Sequence, residues 1–190
     1  MQLFLMGQMF IIIGCINMNK IEFYVKNKQI MKDETVKSKY QNYLNKAKNT
    51  LAVLDALDKL ENSSKAKKLL NIPENFDSSE WVVITGYYAM YTSALALLAK
   101  IGFRSKNHTA TLLVLDEFFV KKKLMDSEIL LTLKNALFQK EEIEKLSEAR
   151  HQREIAQYSI TKQTTKKIAE KIKKDSYDFV NKVELILMQK

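Results

Sequence analysis

Turn formers, cysteine and histidine are all scarce in this chain, which has four glycines, one proline, one cysteine and two histidines among 190 residues. So few glycines and prolines exclude a strand-and-turn architecture and predict long helices with few, short connections. The single Cys15 excludes an internal disulfide and fits a reducing compartment, so a cytoplasmic location is expected. Two histidines and one cysteine cannot assemble a dense zinc site, and neither a metal nor another cofactor is expected. The sequence also lacks a glycine-rich phosphate loop, a cysteine pair, a serine-centred elbow and a paired-carboxylate signature. Kinase, redox, hydrolase and metalloenzyme readings therefore have nothing to stand on.

Charge is missing from one long stretch. Trp81 to Ala99 (WVVITGYYAMYTSALALLA) carries no formal charge in a chain that is 28% charged. At 100° per residue, Trp81, Tyr87, Tyr88, Tyr91, Leu95 and Leu98 make a bulky face, with Gly86, Ala89, Ser93 and Ala96 opposite. A helix apolar all round is buried all round, so this stretch is expected to be the central rod of a helical bundle. Its length would suit a bilayer. Its tyrosines, threonines, serine and glycine are spread along the run rather than gathered at two interfaces, which argues against a membrane span.

The other helices follow from periodicity and punctuation. Residues 1–32 read as an N-terminal extension and 33–190 as one helical domain. The apolar leader Met1 to Asn17 has no basic start, and Met18 follows it at once. The expectation is a true translation start near Met18, with a buried strand at Phe10 to Ile13 as the alternative. A first long helix is predicted from Asp33 to about Leu60, broken at Asn62, Ser63 and Ser64, and a short basic helix from Ser64 to Leu70. Asp77 and Glu80 have the spacing of a capping box ahead of the central helix, and Gly102 ends it. A basic loop, Phe103 to His108, leads to a helix from Thr109 to Val120. Ser127 to Tyr158 reads as helical with a change of apolar phase, predicting a bend or break near Gln139 to Glu142. The last helix, Thr161 to Met188, turns Ile168, Ile172, Phe179, Val183 and Ile186 inward. It sets Lys162, Lys166, Lys167, Lys171, Lys173 and Lys174 outward.

Against 22 acidic residues stand 31 basic ones, a formal net charge of +9 that favours anionic partners, yet only Arg104, Arg150 and Arg153 are arginines. Arg150 and Arg153 fall on the face of Ile143 and Leu146. A guanidinium on an apolar face needs carboxylates, phosphates or carbonyls, so Arg153 either anchors an ion-pair network or lines a cleft. His108, at a helix start, is either a cap or a ligand contact.

Together, Gly86-Tyr87-Tyr88-Ala89-Met90-Tyr91, the apolar Ala94 to Ala99, Gly102-Phe103, Lys106, His108 and Arg153-Glu154-Ile155-Ala156-Gln157-Tyr158 resemble the HEPN domain. The resemblance is to its small archaeal and bacterial branch and covers about Lys37 to Met188. It implies an all-α bundle of four to five helices that pairs into a homodimer, with a motif from each protomer at a shared cleft. It also implies RNA or a nucleotide as ligand and a minimal nucleotidyltransferase as partner in a toxin–antitoxin-like system; no membrane is expected, on the composition of the 81–99 run. By the same resemblance Arg153 and Tyr158 stand at the chemistry, with Arg150, Gln157, His108 and Lys106 as ligand contacts. Active ribonucleases of the family carry the arginine, then four to six residues, then a histidine. Here none follows Arg153, and Gln157 replaces the usual acidic residue. His151 points about 160° away from Arg153. The implied function is thus RNA or nucleotide binding; the alternatives are a metal-independent endoribonuclease toxin and a non-catalytic interaction scaffold.

Overall fold

The computed structural model describes the backbone of residues 21–150 and 158–189, and side chains over 21–145 and 166–189. The leader 1–17, the strand alternative at 10–13 and the choice of start lie outside the described residues.

Residues 21–26 form a helix, α1, followed by a short strand β1 (Ile30–Lys32) and a 3-10 turn (Glu34–Lys39). The long helices are α2 (Tyr40–Glu61), α4 (Ser79–Lys100), α6 (Ser127–Arg150) and α7 (Tyr158–Met188). Shorter ones, α3 (Ser64–Leu69) and α5 (His108–Leu115), fill the connections, with β2 (Phe103–Ser105) ahead of α5. The expected all-α bundle is what the chain forms, and among the described residues one small sheet pairs β1 with β2.

α4 is the rod around which the others pack. Val82, Val83, Tyr87, Ala89, Met90, Ala94, Ala96, Leu97 and Leu98 are buried, and the small-residue face admits two neighbours at once. A Cβ on Gly86 would lie 2.7 Å from Ile172 Cγ2 on α7 and 3.3 Å from Leu54 Cδ1 on α2, so only glycine lets α2 and α7 close on α4 there. α4 is long and apolar enough to cross a membrane, but 72% of that apolar window is buried inside the bundle. Burial is not complete all round, however. Trp81 is 59% and Tyr88 41% exposed, both on the bulky face.

Several boundaries differ from the sequence reading. The first long helix opens as a 3-10 turn capped by Asp33, which accepts from Thr35 N–H at 3.0 Å; regular α-helix starts only at Tyr40. At α4 the capping residue is Ser78 with no side-chain cap bond, and Asp77 accepts from Ser79 N–H at 3.0 Å instead. The Ser78 hydroxyl is turned to Glu61 of α2 at 2.7 Å. The predicted break near Gln139 to Glu142 is absent, since α6 is helical without interruption from Ser127 to Arg150. Its buried residues run Leu130, Leu133, Ala136, Lys140, Ile143, and Lys140 fills the position where the apolar stripe seemed to change phase. After α5 the backbone widens into a π-helical turn, Asp116–Val120, with Lys121 N–H bonded to Asp116 C=O at 2.9 Å.

The lysines of α7 divide by partner. Lys173 meets Asp58 at 2.5 Å and Lys166 meets Glu61 at 3.3 Å, both on α2. The Tyr177 hydroxyl joins the seam by donating to Asp55, and burial together with that carboxylate pushes its pKa up to about 12. A small open cleft of about 70 Å³ lies along the seam, lined by Asp58, Glu61, Lys166 and Lys173 whose charges are already paired. Lys167, Lys171 and Lys174 remain exposed, without an ion pair to a described residue.

Candidate functional site

The connection between α4 and α5 sets the site. Gly102 ends α4 at φ +79, a left-handed conformation that L side chains rarely adopt, and its N–H bonds to Ala99 C=O at 2.9 Å. β2 then pairs antiparallel with β1, Met31 opposite Arg104, while Lys106 N–H bonds to Gln29 C=O at 2.9 Å. One terminal nitrogen of Arg104 lies 3.0 Å from Asp33 in this clamp, while its buried Nε has no hydrogen-bond partner among the described residues. The Thr35 hydroxyl bond, with help from Arg104, holds the Asp33 carboxyl below its usual pKa.

Asn107, not His108, caps α5: its side chain accepts from Ala110 N–H at 2.9 Å. That leaves the imidazole of His108 free to turn back onto α4. There its Nδ1 shares a hydrogen bond with the Tyr87 hydroxyl, and its ring lies 4.3 Å from the Tyr91 ring centre. Tyr87 and Tyr91 are themselves stacked at 5.9 Å, and Tyr88 lies 5.3 Å from Tyr87.

From the other side α6 contributes Lys140, only 9% exposed. Its ammonium sits 5.9 Å from the Tyr87 ring centre and 5.7 Å from that of Tyr88, and pairs with Glu144 at 2.8 Å. Burial works against this charge, but the Glu144 bond and nearby carboxylates leave the Lys140 pKa above its usual value.

The electrostatics keep the aromatic groups neutral. Burial, reinforced by the neighbouring tyrosines, raises the Tyr87 pKa far above the phenol range, so its proton stays in the bond to His108. Burial also raises Tyr91, with the nearby Thr111 hydroxyl opposing. For His108, burial and then Lys140 push the imidazole below its ordinary pKa, with Glu141 and Glu144 opposing. A neutral imidazole accepting at Nδ1 from Tyr87 carries its proton on Nε2, where it has no hydrogen-bond partner among the described residues. The result is an aromatic face with one exposed phenol ring, an oriented imidazole donor and a carboxylate-paired ammonium.

Of the residues predicted from sequence, the structure brings His108 to this face and leaves Lys106 exposed two residues upstream. Arg150 is the last residue of α6 and Tyr158 the first of α7; Arg153 and Gln157, like His151, lie outside the described residues. The site role of Tyr87, Tyr91 and Lys140 was missed. A lysine interrupting the Leu133, Ala136, Ile143 stripe of α6, opposite a run of tyrosines, was the signal. Among the described residues no group of three or more His, Cys, Asp and Glu side chains could hold a metal ion.

A family model described as "HEPN domain" matches residues 58–186. The chain is 34% identical over 100 residues to the "UPF0332 protein" of Archaeoglobus fulgidus, covering 53% of this chain and 69% of that protein. It is 29% identical over 129 residues to "Putative toxin MJ0142" of Methanocaldococcus jannaschii, covering 66% of this chain and 79% of the other. No solved structure matches the chain at significance.

Proposed function

The chain belongs to the HEPN family, and from that premise we propose that it binds RNA or a nucleotide at the face where α4, α5 and α6 meet. The observation that carries this reading is His108, relieved of capping by Asn107 and held by Tyr87 and Tyr91 beside Lys140. An oriented imidazole and an exposed phenol ring suit a base and its ribose, while Lys106 and the arginines around the α6 to α7 connection, Arg150 and Arg153, suit phosphate. The net charge of +9 supports the same class of ligand.

If Arg153 contacts phosphate, Arg153→Ala leaves folding nearly intact and weakens RNA or nucleotide binding by about 1.5 to 3 kcal/mol, the range for hydrogen bonds to charged groups. A thermal melt and a binding titration on that variant test it. A large drop in melting temperature with unchanged affinity assigns Arg153 to a structural ion pair.

A second reading, an endoribonuclease toxin, is favoured by the same histidine. RNA cleavage needs a group that titrates near neutrality, and a phenol such as Tyr158 is a poor substitute. His108, with Tyr87 as its orienting partner, supplies an imidazole from α5. The name of the Methanocaldococcus relative points the same way. Loss of cleavage in His108→Gln with RNA binding retained supports this activity; equal cleavage by that variant excludes His108. In either reading the protein is proposed to act as a cytoplasmic homodimer beside a nucleotidyltransferase partner.

A further inference from the structure

We propose that Tyr88 and Trp81 on α4 are two stacking platforms for successive unpaired bases of single-stranded RNA, with the phosphates held off this face. The inference rests on the RNA reading and deepens it by naming the form of RNA and the residues that take its bases.

Three observations converge. Tyr88 is 41% and Trp81 59% exposed, although both sit on a helix whose other large apolar side chains are buried or half-buried. They are seven residues apart, hence on the same side of α4 and about 10.5 Å apart along its axis, with half-buried Ile84 and Thr85 between them. The platform at Tyr88 is rigid: its ring packs at 5.3 Å on the fully buried Tyr87, which His108 pins, and Lys140 lies 5.7 Å from its centre. A ring fixed in this way loses little freedom when a base stacks on it.

Local charge decides which part of the nucleotide comes here. Lys140 supplies one positive charge, already paired with Glu144, while Glu141 and Glu144 supply two negative ones. The described charges beside Tyr88 therefore sum to one negative, in a chain of net charge +9. Phosphate is disfavoured beside Tyr88 and is left to Lys106, Arg150 and Arg153, whereas the amino and imino hydrogens of a base find acceptors. Duplex RNA hides its bases in its own stack and presents only phosphate and ribose, so it does not fit.

Trp81 is the only tryptophan in the chain, so its fluorescence reports on its own platform. The test titrates the full-length protein with a twelve-nucleotide oligo(rA) and with a duplex RNA of the same length. Anisotropy of end-labelled RNA follows binding, and tryptophan emission follows stacking. The expected result is quenching by the single strand and none by the duplex. Tyr88→Ala should weaken single-strand affinity by about 5- to 150-fold, as loss of one stacked base predicts, without changing the salt slope. Tyr88→Phe, which keeps the ring, should bind as the wild type does. Binding of the single strand without quenching, equal affinity for the duplex, or an unaffected Tyr88→Ala overturns the stacking assignment and leaves RNA binding standing. Absence of binding to either RNA overturns the RNA reading itself and this inference with it.

Discussion

At the scale of single residues the bond between Tyr87 and His108 governs the site. The Tyr87 hydroxyl is buried, and Nδ1 of His108 has no other partner among the described residues, so Tyr87→Phe leaves an acceptor unsatisfied. Urea denaturation should register a loss of about 1 to 3 kcal/mol; an unchanged midpoint would show that the bond contributes nothing to stability. The depressed pKa of His108 gives a pH prediction of definite sign. As pH falls below about 6.5, the unfolded chain takes up a proton before the folded one does, so stability present at neutral pH is lost on acidification. Asp33 and Glu34, whose carboxyl pKa values are lowered, add losses of the same sign only at more acid pH. Melting temperatures measured from about pH 7.5 to 5.5 should fall for the wild type and fall less for His108→Gln, whose amide can still accept from Tyr87. Equal slopes would place the imidazole titration elsewhere.

At the scale of elements, two helix contacts make contrasting predictions. Gly86→Ala improves helix propensity by about 1 kcal/mol, but its methyl would collide with Ile172 Cγ2, an atom held close to the α7 backbone. Overpacking of this kind costs about 1 to 3 kcal/mol, so the net effect should be destabilising. Combining it with Ile172→Ala should give a double mutant more stable than the sum of the single effects predicts. Additivity would mean the helices do not meet there. Lys140→Met tests the other contact. The change keeps the aliphatic stem in the α6 stripe and leaves Glu144, its partner, at an exposed position, so stability should change little. Removal of the ammonium also lifts one of the causes that depress the His108 pKa, which should therefore rise in an NMR titration of the imidazole.

At the scale of the molecule, the chain leaves apolar side chains on the surface of the helices that build the site. Leu131 and Phe138 of α6 are 52% and 57% exposed. Isolated exposed leucines are ordinary, but two large apolar side chains seven residues apart on one helix suit an interface. The proposed homodimer predicts twice the chain mass in light scattering at micromolar concentration. A monomer mass would remove the dimer, and a shared cleft with it, while leaving the single-chain face of Tyr87, Tyr88, Tyr91 and His108 intact.

Scarce glycine and proline, with apolar positions recurring every three to four residues, were enough to specify long helices and an all-α bundle, because such periodicity buries its stripe only as a helix. The uncharged run at 81–99 likewise marked the central rod, and its small residues marked where neighbours close in. The sequence did not reveal the strand pair Ile30–Lys32 with Phe103–Ser105, since three residues per strand carry no period and their pairing joins segments some seventy residues apart. Nor did it show that Asn107 rather than His108 would cap α5, that Ser78 would turn to Glu61, or that Lys140 would continue an apolar stripe. Each depends on which partner stands across the helix interface. A side chain's competing hydrogen bonds and its choice between burial and water are settled by the three-dimensional neighbourhood, and linear spacing carries only half of that information.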